Sequence, residues 1–361
     1  VEVFSCSQFD GGLVPHDEIW ADMRQMTEPE IRCRVYGEHV AASENAIFDL
    51  PTLLSMRSEC REPLLGALFI KAGTEESPIF EDATSNDRSA SALLAKMKRK
   101  DASQVRFRSD EKGPLRVFLD PDPLEQYIIS ADVAKGLTKG DYSCGDVWRI
   151  YQDGMDLCME QVAQYHGYIN SSDYGCELYK LGAWYNFALV IGERTGPGDA
   201  TLNKLKELGY PNLYQDITNA AATRTQFGHL FGVDTNSATK PVMVALLQSV
   251  IKDKATGRRT IILRSTESIE EMENFIQEPS ESGRSMTFHG AGTMKDDRVM
   301  SPAIAVYVAK TNPGAVYDFT LAQKLRQKKV VDTRDVMTQK FWKSVDKMNG
   351  RRKVRRIGAS P

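Results

Sequence analysis

The sequence predicts an α/β protein built on a mixed sheet, and three observations carry that prediction. From about residue 113, β-rich runs and helical patterns follow one another in the order β-β-β-α-β-α-α-β-α-α. Two runs, Gln126–Val133 and Phe187–Gly192, are short, apolar and β-branched enough to be buried strands. The helical stretches between them carry end signals, with Gly209 closing one and two acids opening another.

Before residue 110 the pattern is irregular. Helical periodicity covers Asp17–Met26 and Glu28–Tyr36, where Ile31, Val35 and Tyr36 recur at helical spacing. Gly73–Ser91 is rich in Glu, Ser, Asp and Thr and reads as a long loop, and Lys96–Lys100 with Arg106 and Arg108 reads as a solvated basic surface. Strands are then expected at Arg116–Asp120, Gln126–Val133, Ser143–Gln152 and Leu157–Tyr165. A helix over Glu177–Tyr185 precedes the strand Phe187–Gly192, and a helix over Asp199–Leu208 ends at Gly209. Pro241–Lys252 is an apolar helix, Thr260–Leu263 a short strand, Ser268–Gln277 an amphipathic helix and Asp296–Lys310 a last helix. Asn170-Ser-Ser172 matches a glycosylation sequon, which has no meaning in a cytosolic chain.

Composition narrows the class. The 361 residues are 41% hydrophobic and 26% charged, an ordinary globular balance with length for two or three units. The longest apolar run, Ala303–Ala309, is far short of the roughly 20 residues of a membrane helix. Six cysteines without a CxxC pair point to reduced thiols in a cytosol-like compartment, and five scattered histidines make no zinc pattern. Residue 1 is Val with no signal-peptide pattern after it, as expected of a processed or truncated piece of a longer chain. The net charge of −3 hides two unlike parts. Residues 321–361 carry 13 Lys and Arg against three acids, a net of +10, so residues 1–320 sum to −13. The tail fits either a solvated terminus or a contact to phosphate or a partner protein.

Four acids stand where such a sheet would present them at one edge. Asp132 interrupts an apolar strand, where an isolated carboxylate is expensive to bury. Glu193 follows the apolar run Ala188–Ile191, and Asp296 and Asp297 open the last helix. Sites in open α/β sheets gather beyond the carboxyl ends of strands, and converging acids there repel unless divalent cations neutralise them. Taken singly, each acid also fits a plainer role: Asp132 as a turn cap, Glu193 in an ion pair with Arg194, and Asp296 and Asp297 as helix caps.

Together the motifs resemble the nuclease part of bacteriophage terminase large subunits. Tyr127-Ile-Ile-Ser-Ala-Asp132-Val-Ala-Lys-Gly136, followed by Gly140-Asp141-Tyr-Ser143, is similar to that family's opening motif. Phe187-Ala-Leu-Val-Ile-Gly-Glu193-Arg-Thr-Gly196 resembles the second, and Met294-Lys-Asp296-Asp297-Arg-Val299, running into an Ala-rich helix, the third. Thr239-Lys240-Pro241 and Glu270-Glu271-Met-Glu273-Asn-Phe275 fit the family's layout between them. The likeness covers roughly residues 115–312. It departs from the family at Arg194, where Asn is frequent, and at Lys295, where His often precedes the double Asp.

The resemblance implies an RNase H-like mixed sheet flanked by helices over residues 113–315, an irregular connecting segment over 1–112 from an absent ATPase motor, and a basic tail over 316–361. It implies an endonuclease that cuts concatemeric viral double-stranded DNA during packaging with two Mg²⁺ or Mn²⁺ ions. Asp132, Glu193 and Asp297 are the implied catalytic ligands, with Asp296 and Asp141 as further metal-site acids. The implied partners are DNA, the portal protein and the small terminase subunit, in the host cytoplasm. No GxxxxGK[ST] is present: Gly140–Gly145 runs into Asp146 where a phosphate-binding Lys is needed, so no ATPase activity is expected. Two other readings compete, a non-catalytic packaging module docking the portal and another RNase H-like enzyme such as a junction resolvase.

Overall fold

The computed structural model describes residues 15–24, 45–73, 78–81, 104–134, 142–216, 231–251, 259–279, 286–292, 294–318 and 321. The first part holds α1 (His16–Met23), α2 (Leu50–Arg57), β1 (Leu64–Gly73), β2 (Pro78–Glu81), β3 (Val105–Ser109) and β4 (Leu115–Val117). The centre holds β5 (Gln126–Asp132), β6 (Ser143–Asp153), β7 (Asp156–Gly167), α3 (Ser171–Trp184), β8 (Leu189–Gly192) and α4 (Gly198–Glu207). After these come α5 (Thr239–Ile251), β9 (Ile261–Ile262), α6 (Thr266–Glu273), β10 (Phe275–Pro279), β11 (Met286–Gly290), α7 (Asp297–Thr311) and α8 (Pro313–Val316).

β5, β6 and β7 form an antiparallel meander, and β8 returns parallel to β5 after the α3 crossover. That is the RNase H-like topology, and it occupies one end of the sheet path β2-β1-β4-β7-β6-β5-β8. β3 pairs with β1, and β9 lies parallel to β7. Strand alternation splits the core in two. Ile129, Ala131 and Val190 pack under α3 and α4, while Ile128, Leu189 and Ile191 pack under α5, α6 and α7.

The helices start and stop for local reasons. Asn170, the sequon residue, caps α3 by accepting from the Asp173 amide at 2.9 Å. α4 ends at Glu207 with Leu208 as its cap, and Gly209 just beyond, at φ +70°, takes the left-handed turn that suits glycine.

Three expectations differ from the structure. The helix expected over Ser268–Gln277 stops at Glu273, because Phe275 and Ile276 are taken into β10. Phe275 is buried beside Phe48, with ring centroids 6.2 Å apart, so tertiary burial overrides the helical periodicity. The loop expected over Gly73–Ser91 begins on the last residue of β1 and contains β2. The segment expected to be irregular before residue 113 supplies β1, β2 and β3 to the same sheet, with β1 hydrogen-bonded to β4. The expected helix Glu28–Tyr36 and all but Leu321 of the basic run 321–361 lie outside the described residues.

A buried polar layer fastens α7 to the sheet. Ser130 and Asp146 are register partners on β5 and β6, and Asp146 and Gln164 on β6 and β7. The Ser301 hydroxyl of α7 lies 3.0 Å from the Ser130 hydroxyl and donates to the Ser130 carbonyl at 3.1 Å. Trp148 Nε1 donates to Ser130 at 2.9 Å. Gln161 and Gln164 donate to Asp146 Oδ1 at 2.6 and 2.9 Å, and burial pushes the Asp146 carboxyl up to about 6.

Asp146→Ala strands two buried amide donors and is expected to cost about 2–4 kcal/mol. Asp146→Asn keeps the acceptor for both glutamines but places a buried NH2 where Oδ2 has no partner, so it should cost about 1–2 kcal/mol and less than Asp146→Ala. Urea midpoints of the two variants at neutral pH check the difference.

Candidate metal centre

Backbone pairing brings Asp132 and Glu193 together. Ala131 of β5 faces Gly192 of β8, and the Glu193 amide donates to the Ala131 carbonyl at 3.0 Å. Two acids at the ends of adjacent parallel strands are therefore neighbours. Beyond Glu193 the chain must turn at once. Gly196, at φ +59°, makes the turn, and a Cβ on Gly198 would overlap the Glu193 carbonyl.

Asp297 arrives from the opposite direction. Ser130 and Asp132 share one face of β5, two residues apart, while Asp297 and Ser301 share one face of α7, one turn apart. A strand advances about 6.7 Å in two residues and a helix about 5.4 Å in one turn. Fixing Ser301 on Ser130 thus sets Asp297 over Asp132, with α7 antiparallel to β5. Asp297 is buried, and its Oδ2 accepts from the Tyr142 amide at 3.3 Å. Ser143, the last residue of the opening motif, accepts from the Ala134 amide at 3.2 Å and ties down the chain just past Asp132.

The electrostatics follow from this convergence. Burial, then the charges of Glu193 and Asp297, push the Asp132 carboxyl well above the usual carboxylate range. The side-chain hydrogen bond with Glu193 raises Asp132 further. Burial raises Glu193 as well, against its hydrogen bonds to Asp132 and Thr235 and the charge of Lys240.

The plainer roles for these acids are taken by other contacts. Arg194 forms a two-pronged pair with Asp234, its Nε 2.9 Å from Oδ1, rather than with Glu193. Asp296 stands at the N-cap of α7 yet makes no side-chain cap hydrogen bond. It pairs instead with Lys240 at 3.0 Å. The structure therefore brings Asp132, Glu193 and Asp297 together, sets Asp296 beside them with Lys240, and leaves Asp141 outside the described residues.

Among the described residues, no group of three or more Asp, Glu, His or Cys stands close enough together to hold a metal ion in the metal-free arrangement. The donor set still suits a hard divalent cation. It is all carboxylate, carries mutual repulsion, and Mg²⁺ needs only one or two carboxylates when water and phosphate complete its shell.

Sequence reasoning left several neighbours without a role. Lys240 entered only as part of a layout, although it neutralises Asp296. Arg298 pairs with Glu271 at 2.6 Å and donates to Gln164 at 3.1 Å, anchoring the residue after Asp297. The rings of Tyr142, His166 and Tyr168 stack beside Asp297. Each partner lies more than 20 residues away along the chain, so no local spacing signals it.

The chain matches no family model and no curated protein. Solved structures are similar to it in outline. The large terminase nuclease of thermophilic phage G20c with bound magnesium is 17% identical, over 73% of this chain and 98% of that one, with a TM-score of 0.44. The same nuclease with bound cobalt is 22% identical over 55% of this chain and 89% of that one, at 0.41. The Thermus phage P74-26 large terminase nuclease domain is 20% identical over 55% and 87%, at 0.40. Likeness at this level carries no inference about chemistry, so the case for a function rests on the carboxylates themselves.

Raised carboxylates make the native state hold more protons than the unfolded chain. Stability of the metal-free protein should therefore fall as pH rises above about 4, until the Asp132–Glu193 pair has lost its proton. Mg²⁺ should raise Tm, and by more at about pH 8 than at about pH 5. Asp132→Asn should raise Tm in EDTA at the higher pH and lose most of the Mg²⁺ gain. Thermal melts with EDTA and with Mg²⁺ test all three.

Proposed function

We propose that this chain is the nuclease part of a phage terminase large subunit, cutting concatemeric double-stranded DNA by metal-dependent phosphodiester hydrolysis. The observation that supports it most is the meeting of Asp132, Glu193 and Asp297 from three motifs that are 61 and 104 residues apart. Such an all-carboxylate cluster at the carboxyl ends of parallel strands suits divalent cations and a phosphate ligand.

In this proposal Asp132, Glu193 and Asp297 would be the carboxylates that hold the divalent cations, Asp132 as the central ligand of the set. Bound divalent cations supply a nucleophilic water at neutral pH and charge to offset the leaving 3′-oxygen. The chain's own groups do the rest. Lys240 engages Asp296 and so leaves Asp297, the more buried of the two, as the inward ligand. The Tyr142 amide orients Asp297, and Arg298, bound to Glu271, holds the first turn of α7 in place. The Glu193 backbone is trapped between the Ala131 carbonyl and the turn at Gly196–Gly198.

The remaining assignments belong to the same proposal. Residues ahead of β1 lead toward a motor; Val316 and Tyr317, expected to open the tail, are buried in the core, so it is the basic run 321–361 that meets DNA phosphate or the portal, and the small terminase subunit joins the full assembly. No helix among the described residues is long and apolar enough to cross a membrane.

Plasmid cleavage tests the proposal. Wild type should nick and linearise DNA with Mg²⁺ or Mn²⁺ and not in EDTA. Asp132→Ala should lower the rate by about a thousandfold or more while keeping the circular dichroism of the fold. Wild-type cutting by Asp132→Ala would remove the site. No cutting by wild type with either metal would favour the interaction module, and cutting confined to four-way junctions would favour a resolvase.

A further inference from the structure

A ladder of aromatic rings runs from the sheet to solvent at the mouth of the carboxylate cluster, and the mechanism above does not use it. Asp132 of β5 faces Cys144 of β6, and Cys144 faces His166 of β7, so Asp132 and His166 stand in one row on one face. Tyr168 is two residues beyond His166. At about 4.8 Å per strand and 3.4 Å per residue, Tyr168 is about 12 Å from Asp132.

Three rings stack there. Tyr142 lies against His166, with centroids 4.3 Å apart and planes 26° apart, and against Tyr168 at 3.8 Å and 31°. The Tyr142 and Tyr168 side chains are also hydrogen-bonded, which holds the outer ring in place. His166 is partly buried, and burial with the charges of Arg298 and Arg116 pushes its pKa down to about 3, so it stacks as a neutral ring. Tyr168 ends the stack with 48% of its surface exposed. Lys295 is close enough for its charge to act on the Tyr168 hydroxyl. The Tyr142 amide reaches Asp297, so the stack and the acidic cluster share one support.

An ordered, exposed ring with a cation beside it suits a flat π-surface attached to phosphate. We infer that Tyr168 is the platform of a stacking site for one unpaired nucleobase of the DNA strand, within a few nucleotides of the phosphate at Asp132. In a duplex that base must first leave its neighbours, at a cost of a few kcal/mol that is smallest at mismatched or frayed positions. Tyr168 therefore acts as a specificity residue, favouring strands already opened near the cut.

The inference rests on the nuclease reading for the identity of its ligand, but its test needs no cleavage. The full 361-residue chain is titrated in EDTA into single-stranded oligonucleotides carrying 2-aminopurine, at a salt concentration that suppresses phosphate contacts by the tail. Wild type should quench the probe. Tyr168→Phe, which keeps the π-face but loses the hydroxyl bond to Tyr142, should keep the quenching with Kd within about threefold of wild type, while Tyr168→Ala should raise Kd about tenfold and lose the quenching. Tyr168→Leu, which fills the space without a π-face, should behave like Tyr168→Ala and guards against misfolding of the smaller variant. Wild-type Kd and quenching in both variants would overturn the inference. Tyr168-dependent quenching in a chain that cuts no DNA would keep the stacking site and remove the nuclease reading. Cleavage with quenching and KM unaltered by both variants would do the reverse.

Discussion

One hydroxyl contact sets the geometry on which the site depends. Ser301 sits on Ser130, 3.0 Å apart, in a core where both are fully buried. A helix can slide on an apolar sheet at small cost, but it cannot slide past a buried hydroxyl pair without stranding polar groups. The contact therefore fixes the height of α7 above β5. Asp297 falls over Asp132 because one helical turn and two strand residues cover nearly the same length. Asp146, Gln161 and Gln164 extend the polar layer across the sheet, and Arg298 with Glu271 closes it at the helix start.

The same framework sorts the charges. Lys240, Arg194 and Arg298 all lie near the three carboxylates, yet each is engaged first with another acid: Asp296, Asp234 and Glu271. Negative charge thus stays concentrated on Asp132, Glu193 and Asp297, and their mutual repulsion with burial raises Asp132. A fold that buries acids without partnering cations gives up stability at neutral pH. On the proposed function, bound divalent cations would restore that stability, which ties the fold's weakness to its proposed use.

Much of this was legible in the sequence, for identifiable reasons. The strands at Gln126, Ser143, Asp156 and Leu189 are apolar enough to reveal themselves, and Asp132 stood out by interrupting one of them. Glu193 and Asp297 could be named because each sits at the end of a regular element. Legibility failed where burial is decided by distant partners. Phe275 looked helical until Phe48 and β11 claimed it. β1 fell in the stretch read as irregular and β3 in the run read as a basic surface, since only the pairing of β1 with β4, and of β3 with β1, makes them part of the sheet. The roles of Lys240 and of the Tyr142–His166–Tyr168 stack depend on residues brought together by the fold, and no spacing along the chain encodes them.

The central claim is that these three carboxylates form a divalent cation centre. A crystal grown with Mn²⁺, with data collected for the metal's anomalous scattering, tests it most directly. The expected result is anomalous density bounded by Asp132 together with Glu193, Asp297 or both. Ordered Mn²⁺ elsewhere on the protein, with no density at Asp132 even at millimolar metal, would contradict it.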